Sequence, residues 1–172
     1  MNFTELAKKR FSVRKFSSRK IESDLLEEIL QIALIAPTAK NQQPQRIYVL
    51  QSDEAFVKLD KLTHCRYGAA IVLLFTYNED EEWKNPLEQD VHSGVEDVSI
   101  VAAHVMLKAA ELGIDTAWCN MFENSALEKE FHIPENEKSV LIMPVGYRDT
   151  EVKPAPMHEQ TKELESMVKY IS

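Results

Sequence analysis

The segment KKRFSVRKF, residues 8–16, carries residue types that could bind an anion. Arg10, Ser12 and Arg14 stand at alternate positions, and alternate side chains of an extended segment point the same way. Two guanidinium groups with a hydroxyl between them would form charge-assisted, bidentate hydrogen bonds to an oxyanion such as phosphate. Basic alternation is also common in solvated surface turns, and the segment alone does not decide between the two interpretations.

A second candidate is the segment APTAKNQQP, residues 36–44, which carries a single charge, Lys40. Its other polar side chains both donate and accept hydrogen bonds, and they are Thr38, Asn41, Gln42 and Gln43. Such a loop suits a flat heterocycle with donor and acceptor edges. Taken alone, it is better explained as an ordinary connection between a helix and a strand.

Two later segments could also approach a ligand. GIDTAWCNMF, residues 113–122, has the pattern of a helix end, a strand and a loop whose backbone amides could donate to a ligand. The segment 145–162 holds Lys153, His158 and Lys162. The histidines and the two cysteines, Cys65 and Cys119, lack the paired spacing of a metal site, so no metal is expected.

The charge distribution favours a discrete anionic ligand. The 172 residues include 20 basic and 28 acidic side chains, a net charge of -8, which argues against broad nucleic-acid binding. Seven of the basic residues nevertheless lie between Leu6 and Ile21, where no acid occurs. A short basic island in an acidic protein fits one bound anion better than a coated polyanion.

Hydrophobic periodicity predicts interleaved helices and strands around these segments. Capping boxes at Ser93/Glu96 and Ser125/Glu128 predict the starts of a long helix ending near Gly113 and of a short helix before Pro134. The other predicted helices are Thr4–Lys9, Ser23–Ala36 and Asp53–Leu62, and the predicted strands are Arg46–Leu50, Ala69–Tyr77, Thr116–Cys119 and Val140–Tyr147.

The long helix is apolar on more than one face, which places it in the centre of the fold or in a subunit interface. A dimer is therefore expected on burial grounds. The longest apolar run, Ala69–Phe75, is far shorter than the roughly 20 residues of a membrane-spanning helix. The low cysteine content and the absence of an apolar leader core in Met1–Arg10 predict a cytoplasmic protein.

Together the four segments resemble the nitroreductase family of FMN-dependent oxidoreductases, over nearly the whole chain. KKRFSVRKF is similar to the family's R-x-S-x-R-x-F signature, and APTAKNQQPQRIYVL to its AP-S/T-x-x-N-x-Q-P-W-x-F loop and strand. AAELGIDTAW resembles its A-A-x-x-L-G-L-x-T-x-W segment, and MPVGY its x-x-x-G-Y-P strand end.

The resemblance implies a fold and an assembly. The expected fold is a single α+β domain over residues 1–172, an α/β sandwich with a mixed, mainly antiparallel central sheet. It also implies an intertwined homodimer in which a C-terminal arm, about residues 148–172, docks on the partner subunit. Each of two FMN sites would then be built from both subunits.

The resemblance also assigns roles to residues. Arg10 and Ser12 would hold the FMN phosphate, and Arg14 would reach the ribityl chain and the pyrimidine edge. The backbone at Asn120 and Met121 would approach flavin N5, and Lys162 would return to the phosphate. The other subunit would supply loop residues, with Gln43 shaping the loop or contacting the ring; these residues are Pro37, Thr38, Ala39, Asn41 and Gln43.

The implied activity is hydride transfer from NAD(P)H to the flavin, followed by ping-pong reduction of electron-poor acceptors such as nitroaromatics or quinones. The cofactor performs the chemistry, so no catalytic side chain is required. Asn120 and Met121 replace residues that are often glycine, which would narrow the pocket and leaves an FMN storage or sensor protein with little turnover as an alternative. A flavin-free dimer that binds an anionic partner is a third hypothesis.

Overall fold

The structure is a computed structural model and describes residues 2–171. Its centre is a four-stranded sheet in the order β1-β2-β4-β3, with every neighbouring pair antiparallel. The strands are β1 (Gln45–Leu50), β2 (Ile71–Asn78), β3 (Asp115–Thr116) and β4 (Glu137–Gly146). An isolated parallel bridge between Ser12 and Thr116 adds a parallel contact at the β3 edge. The α+β class and the mixed, mainly antiparallel sheet are therefore confirmed.

Six α-helices surround this sheet within residues 2–171. They are α1 (Phe3–Lys9), α2 (Ser23–Gln31), α3 (Asp53–Leu62), α4 (Gly94–Glu111), α5 (Asn124–Glu130) and α6 (Leu164–Met167). Short 3-10 turns extend α2 over Ile32–Leu34 and cover Ala39–Asn41 and Pro156–Glu159. The helix predicted to run to Ala36 thus ends earlier as an α-helix, with Pro37 following the tightened turn.

Alternate residues of β2 divide the core between the two faces of the sheet, as the two-residue period of a strand requires. Leu73 and Phe75 pack with α2 and α4, whereas Val72 and Leu74 pack with α3 and α5. Helix α4 buries Val98, Val101, Ala102, Val105 and Ala109 against the first face. The result is the predicted sandwich, in which α4 packs on one face of the sheet.

Neither predicted capping box forms. Ser93 precedes α4, but its hydroxyl donates to Asp97 Oδ2 over 2.7 Å instead of capping the backbone. Ser125 lies inside α5, and Glu128 accepts from the amide and hydroxyl of Ser139, both at 2.8 Å. The Ser93 hydroxyl thus binds a carboxylate one turn further along its own helix, and the Ser125 hydroxyl donates to Glu123 Oε1 over 3.0 Å. Only Glu128 is taken by a partner from another element.

The predicted strand Thr116–Cys119 is mostly wrong as a continuous strand. Only Asp115 and Thr116 form regular ladder pairs with β4, and the chain returns to β4 at an isolated bridge between Cys119 and Ile142. The strand predicted at Val140 instead begins at Glu137, because Glu137–Ser139 continue the pairing with Thr76–Asn78.

Candidate functional site

The segment 10–16 lies against the sheet edge through its apolar side chains. Phe11, Val13 and Phe16 are buried, and the Val13 amide donates to the Thr116 carbonyl over 3.0 Å. Ser12 is half-buried and Arg14 is exposed. The alternation predicted from the sequence is therefore real, with the apolar residues inward and the polar residues toward solvent.

The guanidinium groups of Arg10 and Arg14 are not committed to partners within residues 2–171. Three of the other arginines are paired with carboxylates: Arg46 with Glu81, Arg66 with Asp60 and Arg148 with Asp115. The Arg19 guanidinium instead lies over the Tyr147 ring, 3.7 Å from its centroid. Arg10 and Arg14 make no hydrogen bond or ion pair with a described residue. Burial lowers the pKa of the Arg10 guanidinium from its ordinary value. A half-buried cation without a counter-ion favours an anionic ligand.

The C-terminal segment forms the other wall of the cleft at these cations. Arg10, Ser12 and Arg14 line a cavity of about 120 Å³ together with Ala155, Met157 and His158. His158 Nε2 lies 2.9 Å from the Lys8 carbonyl oxygen, and its ring meets the ring of Phe11 edge to face at 6.0 Å. His158 thus docks the C-terminal segment on the start of the same chain.

Lys162 follows Thr161, which lines a neighbouring cleft of about 720 Å³ with Lys8 and Arg10. The Lys162 side chain is exposed, and along the chain the residue comes directly after this cleft. The phosphate role of Lys162 stays a prediction.

The loop 36–44 is held in an unusual conformation. Lys40, Asn41 and Gln43 have φ values of 51°, 56° and 52°, the left-handed region that non-glycine residues rarely occupy. The Gln43 amide donates to Thr38 Oγ1 over 3.1 Å, and the Ala39 amide donates to Asp97 Oδ1 over 2.7 Å. Such strain persists only where surrounding contacts over-determine it, and it is typical of ligand-binding segments.

Pro37, Asn41 and Gln43 are exposed, and Thr38 and Ala39 are half-buried. The Gln43 side-chain amide donates to Asn41 Oδ1 over 3.1 Å, so the two polar side chains support each other.

The two candidate halves of the site lie at opposite ends of α4. The loop contacts Asp97 in the first turn, whereas Arg10 shares a cavity with Ala110 in the last turn. At 1.5 Å per residue, these two helix positions are about 20 Å apart. The loop and the cation pair of one chain therefore do not face each other across a small ligand.

Asn120 and Met121 follow Cys119, whose thiol lies within reach of the Arg14 charge. The Met121 carbonyl accepts from Thr63 Oγ1 and the Asn120 side chain donates to the Val140 carbonyl, both over 2.7 Å. The two backbone amides donate to no residue in the described range, as a role in ligand binding requires. The Met121 side chain is 59% exposed.

Three residues that support the site were not anticipated. Asp97 anchors the loop, Thr63 anchors Met121, and Arg148 stacks over Phe11 at 4.5 Å from the ring centroid. The first turn of α4 holds two acids, Glu96 and Asp97, which is usual at a helix N-terminus and does not single out Asp97. No spacing rule could have indicated Thr63, which lies 58 residues from its partner.

No group of three or more histidine, cysteine or acidic side chains among residues 2–171 could hold a metal ion. None of the helices in this range has the length and apolarity needed to cross a membrane.

Comparison with known proteins shows the class to which this fold and site belong. The nitroreductase family profile matches residues 7–67 and 65–147, and the chain belongs to that family. A nitroreductase family protein from Clostridium difficile 630 is 36% identical, with a TM-score of 0.92 over 100% of this chain and 99% of the other.

More distant relatives share the fold. A protein of Methanothermobacter thermautotrophicus with the provisional name NADH dehydrogenase/NAD(P)H nitroreductase is 26% identical over 155 residues, 86% of this chain and 78% of its own. A protein of Exiguobacterium sibiricum 255-15, solved in complex with FMN, has a TM-score of 0.84 at 19% identity over 99% of this chain and 98% of its own. The fold expected from the four motifs is thereby confirmed.

Proposed function

We propose that this protein is an FMN-dependent oxidoreductase that accepts hydride from NAD(P)H and passes reducing equivalents to electron-poor acceptors such as nitroaromatics or quinones. The observation that carries the proposal is the pair of uncommitted guanidinium groups, Arg10 and Arg14, on a buried backbone support. Membership of the nitroreductase family and the FMN complex of a fold relative support the same cofactor.

The residues present fit FMN. Arg10 and Ser12 would bind the phosphate, with Lys162 as a further cation, because a phosphate needs several charge-assisted donors. Arg14, four residues along the same extended segment, would reach the ribityl chain and the pyrimidine edge. The free amides of Asn120 and Met121 would lie against the reactive edge of the ring.

We also propose a homodimer as the functional unit. One chain holds its loop and its cation pair about 20 Å apart along α4, so a second copy is needed to bring Pro37, Thr38, Ala39, Asn41 and Gln43 to the flavin. Apolar side chains that remain exposed on a single chain also support a dimer. They include Val95 and Ile100 on α4 and Leu164, Met167 and Tyr170 in the C-terminal arm, and Tyr170 is 91% exposed.

The chemistry belongs to the cofactor, which supplies hydride transfer when bound. The chain binds it by its phosphate, orients the ring through the loop and the 120–121 backbone, and narrows access with the Met121 side chain. NAD(P)H and the acceptor would occupy the same space in turn, in a ping-pong sequence. The cytoplasmic location expected from the low cysteine content stays a prediction.

The first experiment tests the cofactor and the turnover together. Protein purified with FMN is expected to be yellow, and anaerobic mixing with NADH or NADPH should bleach the flavin rapidly. Bound flavin that does not bleach would contradict the enzyme and favour the storage or sensor alternative. Protein that stays colourless after addition of FMN would favour an anion-binding dimer without flavin.

A second experiment tests the shared site. Arg10→Ala disables the phosphate half, and Asn41→Ala disables the loop half by removing a residue type that tolerates the left-handed conformation. Unfolding and refolding a mixture of the two variants should restore one intact FMN site in each mixed dimer. If the mixture binds no more FMN than the separate variants, each site is built from a single chain.

A further inference from the structure

A buried carboxylate in the first turn of α4 joins two segments that are distant in sequence. Asp97 is 2% exposed and uses both oxygens. Oδ1 accepts from the Ala39 amide and Oδ2 accepts from the Ser93 hydroxyl, each over 2.7 Å. Ser93 Oγ in turn accepts from the Trp83 amide over 3.1 Å. Three hydrogen bonds therefore connect the loop 36–44 to the segment around Trp83.

That second segment is a hairpin, residues 82–93, packed on the start of α4. Lys84 and His92 form an antiparallel bridge, and the Ser93 amide donates to the Trp83 carbonyl over 3.0 Å. The buried Glu82 carboxylate accepts from the Gly94 amide over 3.1 Å and lies 3.2 Å from His92 Nδ1. The hairpin is thus anchored, and its contact with the loop passes through Asp97.

The loop needs such an anchor because of its backbone. Three non-glycine residues in the left-handed region favour relaxation to another conformation unless contacts prevent it. The bond from Gln43 to Thr38 lies within the loop, whereas the bond to Asp97 fixes the loop to the helix.

We propose that Asp97 is a positioning residue of the flavin site: it sets the conformation of loop 36–44 and joins it to hairpin 82–93, so that the two segments form one wall. This inference rests on the proposed function, because it requires the loop to contact FMN. Removing the carboxylate leaves the Ala39 amide and the Ser93 hydroxyl without their acceptor in a buried place, where unmade hydrogen bonds are costly.

The main test measures FMN affinity by fluorescence titration of flavin-free protein. Asp97→Ala is expected to weaken FMN binding by about tenfold, or about 1.4 kcal/mol. Asp97→Asn keeps an oxygen for the Ala39 amide and should have a smaller effect. Glu96→Gln, an exposed acid in the same turn, removes the same charge and should bind FMN as the unmodified protein does.

Two further variants separate positioning from general stability. Thr38→Val cuts the bond within the loop and should weaken FMN binding as Asp97→Asn does, with the thermal unfolding of flavin-free protein unchanged. Ser93→Ala cuts the link to the hairpin and should raise KM for the acceptor while changing the FMN dissociation constant by less than about twofold.

The outcomes are distinguishable. If the unmodified protein does not bind FMN, the proposed function fails. If it binds FMN and Asp97→Ala binds equally well, the positioning role is wrong. If Asp97→Ala does not fold, equal FMN affinity of Asp97→Asn, Thr38→Val and the unmodified protein overturns the role. An unchanged KM in Ser93→Ala would contradict the hairpin's share of the wall.

Discussion

The segment 10–16 and the loop 36–44 are stabilised in opposite ways. The first is held by the buried side chains of Phe11, Val13 and Phe16 and leaves Arg10 and Arg14 without a partner among residues 2–171. The second buries little and is held by hydrogen bonds to Thr38 and Asp97 around a strained backbone. Charge can be presented from an apolar support, whereas a loop that must adopt rare backbone conformations needs directional bonds.

The apolar support gives the largest expected effect on stability. Phe16→Ala removes a side chain that is 7% exposed, and we expect a loss of about 3–5 kcal/mol in the free energy of unfolding. Phe3→Ala is the control, because Phe3 is 68% exposed. Denaturant unfolding of both variants checks this. A Phe16→Ala loss no larger than that of the control would show that the segment is held by something other than packing.

The cations give the largest expected effect on binding. Arg10→Ala should weaken FMN binding by about 1.5–3 kcal/mol, the range for a hydrogen bond to a charged group, with little effect on stability. Lys20→Ala removes one exposed positive charge from the same basic island and should leave the affinity for FMN unchanged. Isothermal titration with FMN compares them. Equal affinities would place the phosphate elsewhere.

Hairpin 82–93, which Asp97 joins to the loop, is anchored where the Gly94 backbone closely approaches Tyr77 and Glu82. A Cβ at this position would lie 2.6 Å from Glu82 Oε2 and overlap the Tyr77 ring, so Gly94→Ala should cost about 1–3 kcal/mol. Glu96→Ala, at an exposed position in the same turn, should be nearly neutral. Thermal unfolding measures both. If Gly94→Ala unfolds at the same temperature as the unmodified protein, hairpin 82–93 can move away freely. The polar support of the loop would then be less specific than the contrast with segment 10–16 assumes.

The smallest expected effect concerns the buried Cys119 thiol, which lies within reach of the Arg14 charge. Burial first, and then the neighbouring Cys65, raise the pKa of the Cys119 thiol to about 12, while the charge of Arg14 acts in the opposite direction. Between about pH 9 and 12 the unfolded chain binds fewer protons at this thiol than the native state, so stability should fall as pH rises, by at most about 1.4 kcal/mol per unit.

Cys119→Ala should show a shallower decline in denaturant unfolding at pH 8 to 10 than the unmodified protein. Some decline remains in the variant, because the pKa of Tyr48 is also raised, to about 12, by burial and by its hydrogen bond to Glu137. An identical decline in the two proteins would show that Cys119 ionises as easily in the folded state as in the unfolded state.

Local patterns were enough for the elements and for the family. The continuous apolar run in Ala69–Tyr77 indicates a strand buried on both faces, and the spacing of Leu25, Ile29 and Ala33 indicates the buried face of a helix. Capping was less predictable: Ser93 and Ser125 have side-chain chemistry suited to caps, but their hydroxyls donate to the neighbouring carboxylates of Asp97 and Glu123 instead.

The sequence by itself determined the basic segment, its alternation and the resemblance that led to the fold, because these depend on residue types and short spacings. Only the tertiary structure decided that Arg10 and Arg14 lack carboxylate partners, and that Asp97 fixes the loop. It also decided that loop and cations lie at opposite ends of α4. Pairing across tens of residues depends on how helices pack on the sheet, and no local pattern encodes that geometry.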